Sequence, residues 1–169
     1  PLLTVQYADF AAWQRTWLTG SRHEALADFW RGQLGGRLPV LDLPLDRPRP
    51  SRQSFAGRKL AIELGTDLTR RLDGMARTQG ASLFMTLLAG YAALLGRSAV
   101  QEEVIVGCPT AGRDRRELEP LIGYFINPLA MRVNLAGNPR FSELLARVRT
   151  TVLAAYAHAA LPFGQVVEA

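Results

Sequence analysis

A chain of 169 residues with 48% apolar side chains is long enough to bury a core, which excludes an intrinsically disordered protein. Its net charge of +5 comes from scattered arginines and the single lysine Lys59, and no basic stripe interleaved with aromatic residues marks a nucleic-acid groove. The single cysteine, Cys108, excludes a disulfide framework and is expected to be a buried packing residue, and no apolar run reaches the length of about 18 residues that a membrane span requires.

Two helices are predicted at the start of the chain. Residues 7–20 place aromatic side chains at helical intervals. A second helix is predicted to open at Ser21, whose hydroxyl can cap it while Glu24 reaches back, and to end in a left-handed cap at Gly35-Gly36. The aromatic residues at helical spacing, which we interpret as core or interface side chains, are Phe10, Trp13, Trp17, Phe29 and Trp30.

A proline-rich stretch and a short strand are predicted next. Four prolines between residues 38 and 53 exclude a helix and predict an extended linker. After it, Leu60, Ile62 and Leu64 recur at every second position. This period of two predicts a short strand, which Gly65 ends.

Two further helices follow, separated by Gly80. Thr66 is predicted to cap the first of them and Ser82 the second. The second is strongly periodic, and its small residues allow another element to approach closely. Its apolar residues at helical intervals are Phe84, Leu87, Leu88, Tyr91, Leu94 and Leu95.

The last third of the chain predicts two strands and a helix. Residues 104–106 form an apolar run typical of a buried strand, residues 118–123 predict one helical turn, and residues 125–135 predict an extended strand. Pro128 requires an edge or a bulge in this strand. The whole order predicts an α/β fold with a central sheet flanked by helices. A final helix that begins near Pro139 or Ser142 has a predicted core face of Leu144, Leu145, Val148 and Val152.

Three short stretches have the character of motifs. Residues 7–13 carry Tyr-x-Asp-Phe-x-x-Trp, residues 122–127 carry Ile-Gly-x-Phe-Ile-Asn, and residues 158–163 carry His-x-x-x-Pro-Phe. In this order they resemble motifs of the condensation domains of nonribosomal peptide synthetases, although alanines replace the usual Gln-Asp after the histidine. The residues that carry the resemblance are Tyr7, Asp9, Phe10, Trp13, Gly123, Tyr124, Phe125, Asn127, Arg132, His158, Pro162 and Phe163.

The resemblance implies an incomplete lobe of the chloramphenicol acetyltransferase type. Residues 1–37 would form the helical end of the first lobe and the lobe connection, residues 38–58 the proline-rich linker, and residues 59–169 part of the C-terminal lobe. The family's catalytic motif, His-His-x-x-x-Asp-Gly, is expected upstream, since the two histidines of this chain lie in no such motif. We therefore expect no catalytic residue here and an inactive isolated chain.

The resemblance also implies a function in antibiotic or secondary-metabolite biosynthesis in the cytoplasm. The domain would form an amide bond between a donor acyl or peptidyl thioester and an acceptor aminoacyl thioester, both on phosphopantetheine arms. The implied partners are donor and acceptor peptidyl carrier proteins, a neighbouring adenylation domain and the missing first lobe. No directly bound cofactor, metal, nucleic acid or membrane is expected. The alternatives are an epimerisation domain, against which the Gly-x-Phe-Ile-Asn pattern argues, and a non-catalytic carrier-docking domain of the same fold.

Individual residues allow different interpretations. Asn127 is predicted to hydrogen-bond substrate beside the tunnel, or to satisfy the backbone around Pro128. His158 is interpreted as a C-terminal cap or packing group rather than a base, and Asp9 as a structural residue that fixes neighbouring aromatic side chains. A carrier-docking face and a solvated loop are the two interpretations of a basic cluster formed by Arg113, Arg115 and Arg116.

Overall fold

The computed structural model describes residues 3–48 and 50–168, and within them the chain has an α/β arrangement. Among these residues no single helix is long and apolar enough to cross a membrane, and the helices Thr66–Thr78 and Leu83–Ala99 pass that test together as a pair bent by 103°. The helices are α1 (Tyr7–Trp17), α2 (Gly20–Leu34), α3 (Thr66–Thr78), α4 (Leu83–Ala99), α5 (Phe141–Ala157) and α6 (Phe163–Glu168), and the strands are β1 (Glu103–Thr110) and β2 (Asn127–Asn134).

The chain divides into two compact units. The first unit comprises the chain up to Pro39, Ile105–Arg132 and the chain from Thr150 onward. The second unit comprises Val40–Val104 and Val133–Arg149. Both strands and α5 therefore contribute residues to each unit.

The two strands pair in a two-stranded sheet. Just beyond one end, the N–H of Leu135 donates to the carbonyl oxygen of Glu102 at 2.7 Å. At the other end, the hydroxyl of Thr110 donates to the carbonyl oxygen of Asn127 at 2.8 Å. The start of β1 thus lies beside the end of β2, and the end of β1 beside the start of β2, so the strands run antiparallel. Pro128 lies in β2, which is an edge strand of the described two-stranded sheet. An edge position is one of the two predicted for this proline, because it has no N–H to donate.

The first unit is built around α2. Trp30 is 1% exposed, and its Nε1–H donates to the carbonyl oxygen of His158 at 3.0 Å. α2 packs against α6, the short helix that the sequence pattern did not predict. α2 begins at Gly20 after the N-cap residue Thr19, so the predicted start and cap at Ser21 are wrong. Gly36 has φ +79°, which confirms a left-handed residue at the C-terminal end.

The second unit packs α3 against α4. The Ser82 hydroxyl caps α4 as predicted, accepting the N–H of Met85 at 3.2 Å. The α3 prediction is off by one residue, because Gly65 is the N-cap and Thr66 the first helical residue. The helix predicted to begin near Pro139 or Ser142 is confirmed as α5, and its four predicted core residues are all buried.

The six large apolar residues at helical intervals in α4 do not share one buried face: two are buried and four are exposed. Leu88 and Leu95 are buried, as are Met85, Ala89 and Ala92 on the same side. α4 is apolar around most of its circumference, so the helical period alone does not select the buried face. The four that are exposed are Phe84, Leu87, Tyr91 and Leu94.

The predicted strand around Leu60 and Ile62 is also wrong. Residues 53–65 form neither helix nor strand, and these two side chains are 85% and 77% exposed. A strand is stabilised by ladder hydrogen bonds to a neighbour, and in the described sheet β1 and β2 pair with each other. The alternating pattern therefore has no partner within the described chain. Residues 38–48 and 50–53 form no helix, as their prolines predict.

Candidate active-site region

The first motif forms α1. Asp9 lies in the first turn, and its Oδ2 accepts the backbone N–H of Gln6 at 2.8 Å. A carboxylate at this position satisfies a backbone donor that the helix leaves free and favours the positive end of the helix dipole. Asp9 therefore helps to start α1.

The aromatic residues of α1 form a continuous ladder along one side of the helix. The ring centroids of Tyr7 and Phe10 are 6.2 Å apart, those of Phe10 and Trp13 are 5.8 Å apart, and those of Trp13 and Trp17 are 5.3 Å apart. Spacings of three and four residues bring these side chains onto one helix face. Phe10 and Val5 pack against a buried cluster formed by Leu118, Leu121 and Phe125.

Tyr7 joins the first motif to the second. Its hydroxyl donates to the carbonyl oxygen of Tyr124 at 3.0 Å, across 117 positions of sequence. Its ring meets Phe125 edge to face, with centroids 5.1 Å apart. A Cβ atom at Gly123 would lie 2.2 Å from Cδ2 of Tyr7, so a side chain larger than glycine has no room there. The glycine of the second motif thus makes room for the tyrosine of the first.

Arg113 and Gly112 hold Phe125 from the adjoining loop. The guanidinium carbon of Arg113 lies 4.2 Å from the centroid of the Phe125 ring, a cation–π distance. Its Nη1 also donates to the carbonyl oxygens of Leu118 and Glu119. Gly112 has φ +62°, and a Cβ there would lie 1.9 Å from the carbonyl oxygen of Phe125. This loop is therefore closely fitted to the second motif.

Two more arginines bracket the aromatic ladder. Arg115 lies over Trp13 and Arg22 lies over Trp17, each with its guanidinium carbon 4.5 Å from a ring centroid. Because the two indole rings stack on each other, the result is an unbroken series of cation, ring, ring and cation. Arg113 and Arg115 thus anchor their loop to aromatic rings, a role that no local sequence pattern indicates.

An open pocket of about 350 Å³ lies between this loop and the second motif. Tyr124 is 70% exposed and Ile126 is about half exposed, whereas Phe125 between them is buried. This alternation is that of an extended chain with one face on α1 and the other free. The pocket is lined by Pro109, Thr110, Ala111, Arg113, Gly123, Tyr124, Phe125 and Ile126.

Asn127 connects the second motif to the third. Its side-chain amide donates to the carbonyl oxygens of Ala159 at 2.9 Å and Leu161 at 2.8 Å. Its Oδ1 accepts the N–H of Phe163 at 2.9 Å. Its own carbonyl oxygen accepts the Thr110 hydroxyl. The amide thus binds backbone groups in a segment distant in sequence, rather than the backbone beside the following proline.

His158 lies directly after the last residue of α5. Its Nδ1 is 2.8 Å from the carbonyl oxygen of Ala154, which assigns the ring proton to Nδ1. The imidazole is parallel to the ring of Phe29, with centroids 3.7 Å apart and an interplanar angle of 5°. These contacts support a packing role.

Structural contacts are also made by Arg132, Pro162 and the other histidine, His23. Nη1 of Arg132 donates to the carbonyl oxygens of Gln33 at 3.2 Å and Gly35 at 3.0 Å, at the end of α2 where carbonyls lack helical partners. The carbonyl oxygen of Pro162 accepts two N–H groups from the first turn of α6. His23 lies 3.2 Å from Oε1 of Gln165, measured from Nε2.

Cys108 has a thiol whose pKa departs clearly from its ordinary value. It is 8% exposed in β1, and burial raises the pKa of its thiol. A raised pKa disfavours the thiolate, so Cys108 is a packing residue, as predicted, rather than a nucleophile. Across residues 3–48 and 50–168, no group of three or more His, Cys, Asp or Glu side chains could hold a metal ion.

The geometry can be compared with known proteins. The model of the condensation domain family matches residues 1–169, the whole chain. The chain belongs to this family.

Similar proteins are much longer than this chain. It is 46% identical over 167 residues to malpinin synthetase of Mortierella alpina, covering 99% of this chain and 2% of that protein. A teicoplanin X-domain, solved in complex with OxyB, is 32% identical with a TM-score of 0.91, over 99% of this chain and 38% of that chain. The first condensation domain of the calcium-dependent antibiotic synthetase, solved with a substrate analogue, has a TM-score of 0.77 at 22% identity, over 99% of this chain and 36% of that chain.

Sequence reasoning missed several residues that shape this part of the condensation domain. The roles of Thr110 and Gly112 were not predicted. Trp30 was interpreted as a core aromatic, which is confirmed, but no local pattern signals its hydrogen bond to a carbonyl far along the chain.

Proposed function

We propose that this chain forms part of the substrate-tunnel wall in a condensation domain that joins a donor acyl or peptidyl thioester to an acceptor aminoacyl thioester. The observation that carries the proposal is the open pocket lined by Gly123, Tyr124 and Phe125 of the second motif. Its largely apolar lining suits an acyl or aminoacyl chain, and the backbone groups of an extended segment suit the amides of a phosphopantetheine arm.

The proposed reaction is an acyl transfer from sulfur to nitrogen. The acceptor amine attacks the carbonyl carbon of the donor thioester, a C–N bond forms and the C–S bond breaks. The donor arm leaves as a thiol and takes up the proton that the amine loses. In the proposal the group that assists this proton transfer belongs to the His-His-x-x-x-Asp-Gly motif and not to the residues of this chain.

The chain supplies structure to this reaction. Residues 1–37 close the first lobe, residues 38–58 connect the lobes and residues 59–169 belong to the second lobe in this proposal. The partners are donor and acceptor carrier proteins, with an adenylation domain and the rest of the first lobe nearby in the same cytoplasmic protein. The phosphopantetheine arms of the carriers enter the tunnel, and no cofactor binds this chain directly.

A second candidate function is binding of another protein without amide formation. The observation that favours it is the likeness to the X-domain, whose solved complex contains OxyB. The two candidates differ in the product, because a docking domain would hold its partner and leave the thioesters intact.

The deciding experiment uses a polypeptide extended to the full length of solved condensation domains, called here the complete domain. It is mixed with one donor-loaded and one acceptor-loaded carrier protein, and the acceptor carrier is analysed by mass spectrometry. We expect the donor acyl group to appear on the acceptor amine, with release of the donor thiol. A folded complete domain with an intact catalytic motif that binds carriers but forms no amide would contradict this function and favour the second candidate.

A further inference from the structure

Asn127 stands at the meeting point of two motifs and a helix end. α5 ends at Ala157 and α6 begins at Phe163, so the turn between them contains carbonyl and N–H groups without helical partners. The Asn127 side chain satisfies two of these carbonyls, those of Ala159 and Leu161, through its two amide hydrogens. It also satisfies the N–H of Phe163 through Oδ1.

This combination is specific to a carboxamide. Two donors and one acceptor must lie on one short, planar group, and asparagine provides them at this length. An aspartate keeps the acceptor for Phe163 but places carboxylate oxygens against two carbonyl oxygens. An alanine leaves all three backbone groups without this partner. Both amide hydrogens of the Asn127 side chain are therefore donated to backbone carbonyl oxygens.

The same residue is linked to the pocket. The hydroxyl of Thr110, which lines the pocket, donates to the carbonyl oxygen of Asn127 at 2.8 Å. Ile126, the neighbour of Asn127, lines the pocket as well. Asn127 thus connects the pocket, through its main chain, to the turn of residues 158–163, through its side chain.

We propose that Asn127 is a positioning residue that fixes the pocket wall against the turn of residues 158–163 and does not itself contact substrate. This inference rests on the proposed function, because the wall matters to activity only where the pocket takes part in the reaction. Its consequence is that removal of the amide lowers the rate for all substrates alike. A direct substrate contact would instead make the loss depend on the substrate.

The first test concerns the three hydrogen bonds of the Asn127 side chain to residues 159, 161 and 163, called here the clamp, and uses the 169-residue chain. In Asn127→Ala we expect the backbone amide of Phe163 to exchange with deuterium about tenfold faster or more, because its acceptor is lost. The matched control is Asn134→Ala, an exposed asparagine near the end of the same strand, whose Oδ1 accepts the N–H of Ala136. Unchanged exchange of Phe163 in Asn127→Ala, or equal acceleration in the control, would overturn the clamp.

The second test concerns activity and uses the complete domain. We expect Asn127→Ala and Asn127→Asp to lower condensation by about 5- to 150-fold after normalisation to folded protein, and by the same factor for acceptors with small and large side chains. Asn127→Asp is nearly isosteric and serves where the alanine variant folds poorly, with Asn134→Asp as its control. A loss that vanishes on normalisation shows a merely structural role, and a loss that differs between acceptors shows a substrate contact. Either result rejects the proposal.

The two levels of failure are separable. If the unsubstituted complete domain forms no amide, the proposed function fails, while deuterium exchange at Phe163 still reports whether the clamp exists. If the unsubstituted domain is active and both Asn127 variants retain full normalised activity, the proposed function stands and the positioning role is rejected.

Discussion

The ring of Tyr7 occupies the space that a side chain at position 123 would fill, so that a Cβ there would lie 2.2 Å from Cδ2 of the tyrosine. The same tyrosine donates its hydroxyl proton to the carbonyl oxygen of the next residue, Tyr124. Steric fit and hydrogen bonding thus act on adjacent residues of one extended segment. The position of the second motif on α1 depends on both.

Gly123→Ala is expected to lower the free energy of unfolding by about 1 to 3 kcal/mol, the usual cost of overpacking a closely fitted contact. Thermal or urea unfolding of the 169-residue chain measures it. The control is Gly90→Ala in the interior of α4, where an added Cβ meets nothing within 4 Å and is expected to stabilise by about 0.5 to 1 kcal/mol. Equal stability of Gly123→Ala and the parent would show that Tyr7 moves aside at no cost.

Trp30→Phe is expected to destabilise the chain by about 1 to 3 kcal/mol, because the part-buried carbonyl oxygen of His158 loses its donor. Trp13→Phe is the matched substitution on the exposed aromatic ladder, where 37% of the residue is accessible, and it should cost less. Denaturant titration of both variants decides this, and a larger loss for Trp13→Phe would refute the importance of the Trp30 hydrogen bond.

In the complete domain, Asn127→Ala is expected to lower condensation more than His158→Ala does. The histidine stacks on Phe29, and its removal should act through stability, by about 0.5 to 1.5 kcal/mol for the ring contact. Amide formation by both variants is normalised to folded protein. A larger normalised loss for His158→Ala would reverse this ranking.

The isolated 169-residue chain is expected to form no amide bond between loaded carrier proteins. Its two histidines, His23 and His158, lie outside any His-His-x-x-x-Asp-Gly motif, and each has a contact elsewhere in the fold. The complete domain assayed in parallel provides the positive control. Measurable product from the isolated chain at comparable concentration would refute this prediction.

Cys108 is expected to react slowly with a water-soluble thiol reagent at pH 8 in the native chain and rapidly in denaturant. Burial raises the pKa of the thiol, so the native thiolate forms at higher pH than the unfolded one. Because the native state favours the protonated thiol, this group's contribution to stability is present below the unfolded pKa and is lost as pH rises through the folded pKa. Equal native and denatured rates would contradict this account.

The sequence predicted those parts of the fold that local patterns determine. The cap at Ser82 and the core face of α5 follow from spacing within one helix, and both are confirmed. The strand around Leu60 was predicted wrongly, and the helical period of α4 did not show which of its faces is buried, because each depends on which neighbour is available. A period of two indicates that a segment can form a strand, but the ladder hydrogen bonds come from elsewhere in the chain.

The candidate site shows the same division. The motifs identified the family and directed attention to Gly123 and Asn127. Position 123 requires glycine because the ring of Tyr7 fills the adjoining space, and position 127 requires asparagine because its amide bonds to the backbone of residues 159–163. Both sets of partners are remote in sequence. Long-range contacts of this kind leave no periodic signal in the sequence. The motifs therefore identified these two positions but not the residues that contact them.

The packing of α1 on the second motif also limits how two related sequences can be recombined. A crossover anywhere between Trp17 and Leu118 takes the aromatic ladder from one parent and its buried partners from the other. The irregular segment of residues 53–65 would otherwise suit such a crossover, because a junction there interrupts no helix or strand. A chimera joined there inherits a clash if one parent contributes Tyr7 and the other a larger residue at position 123, and a void if the tyrosine is replaced by a smaller side chain.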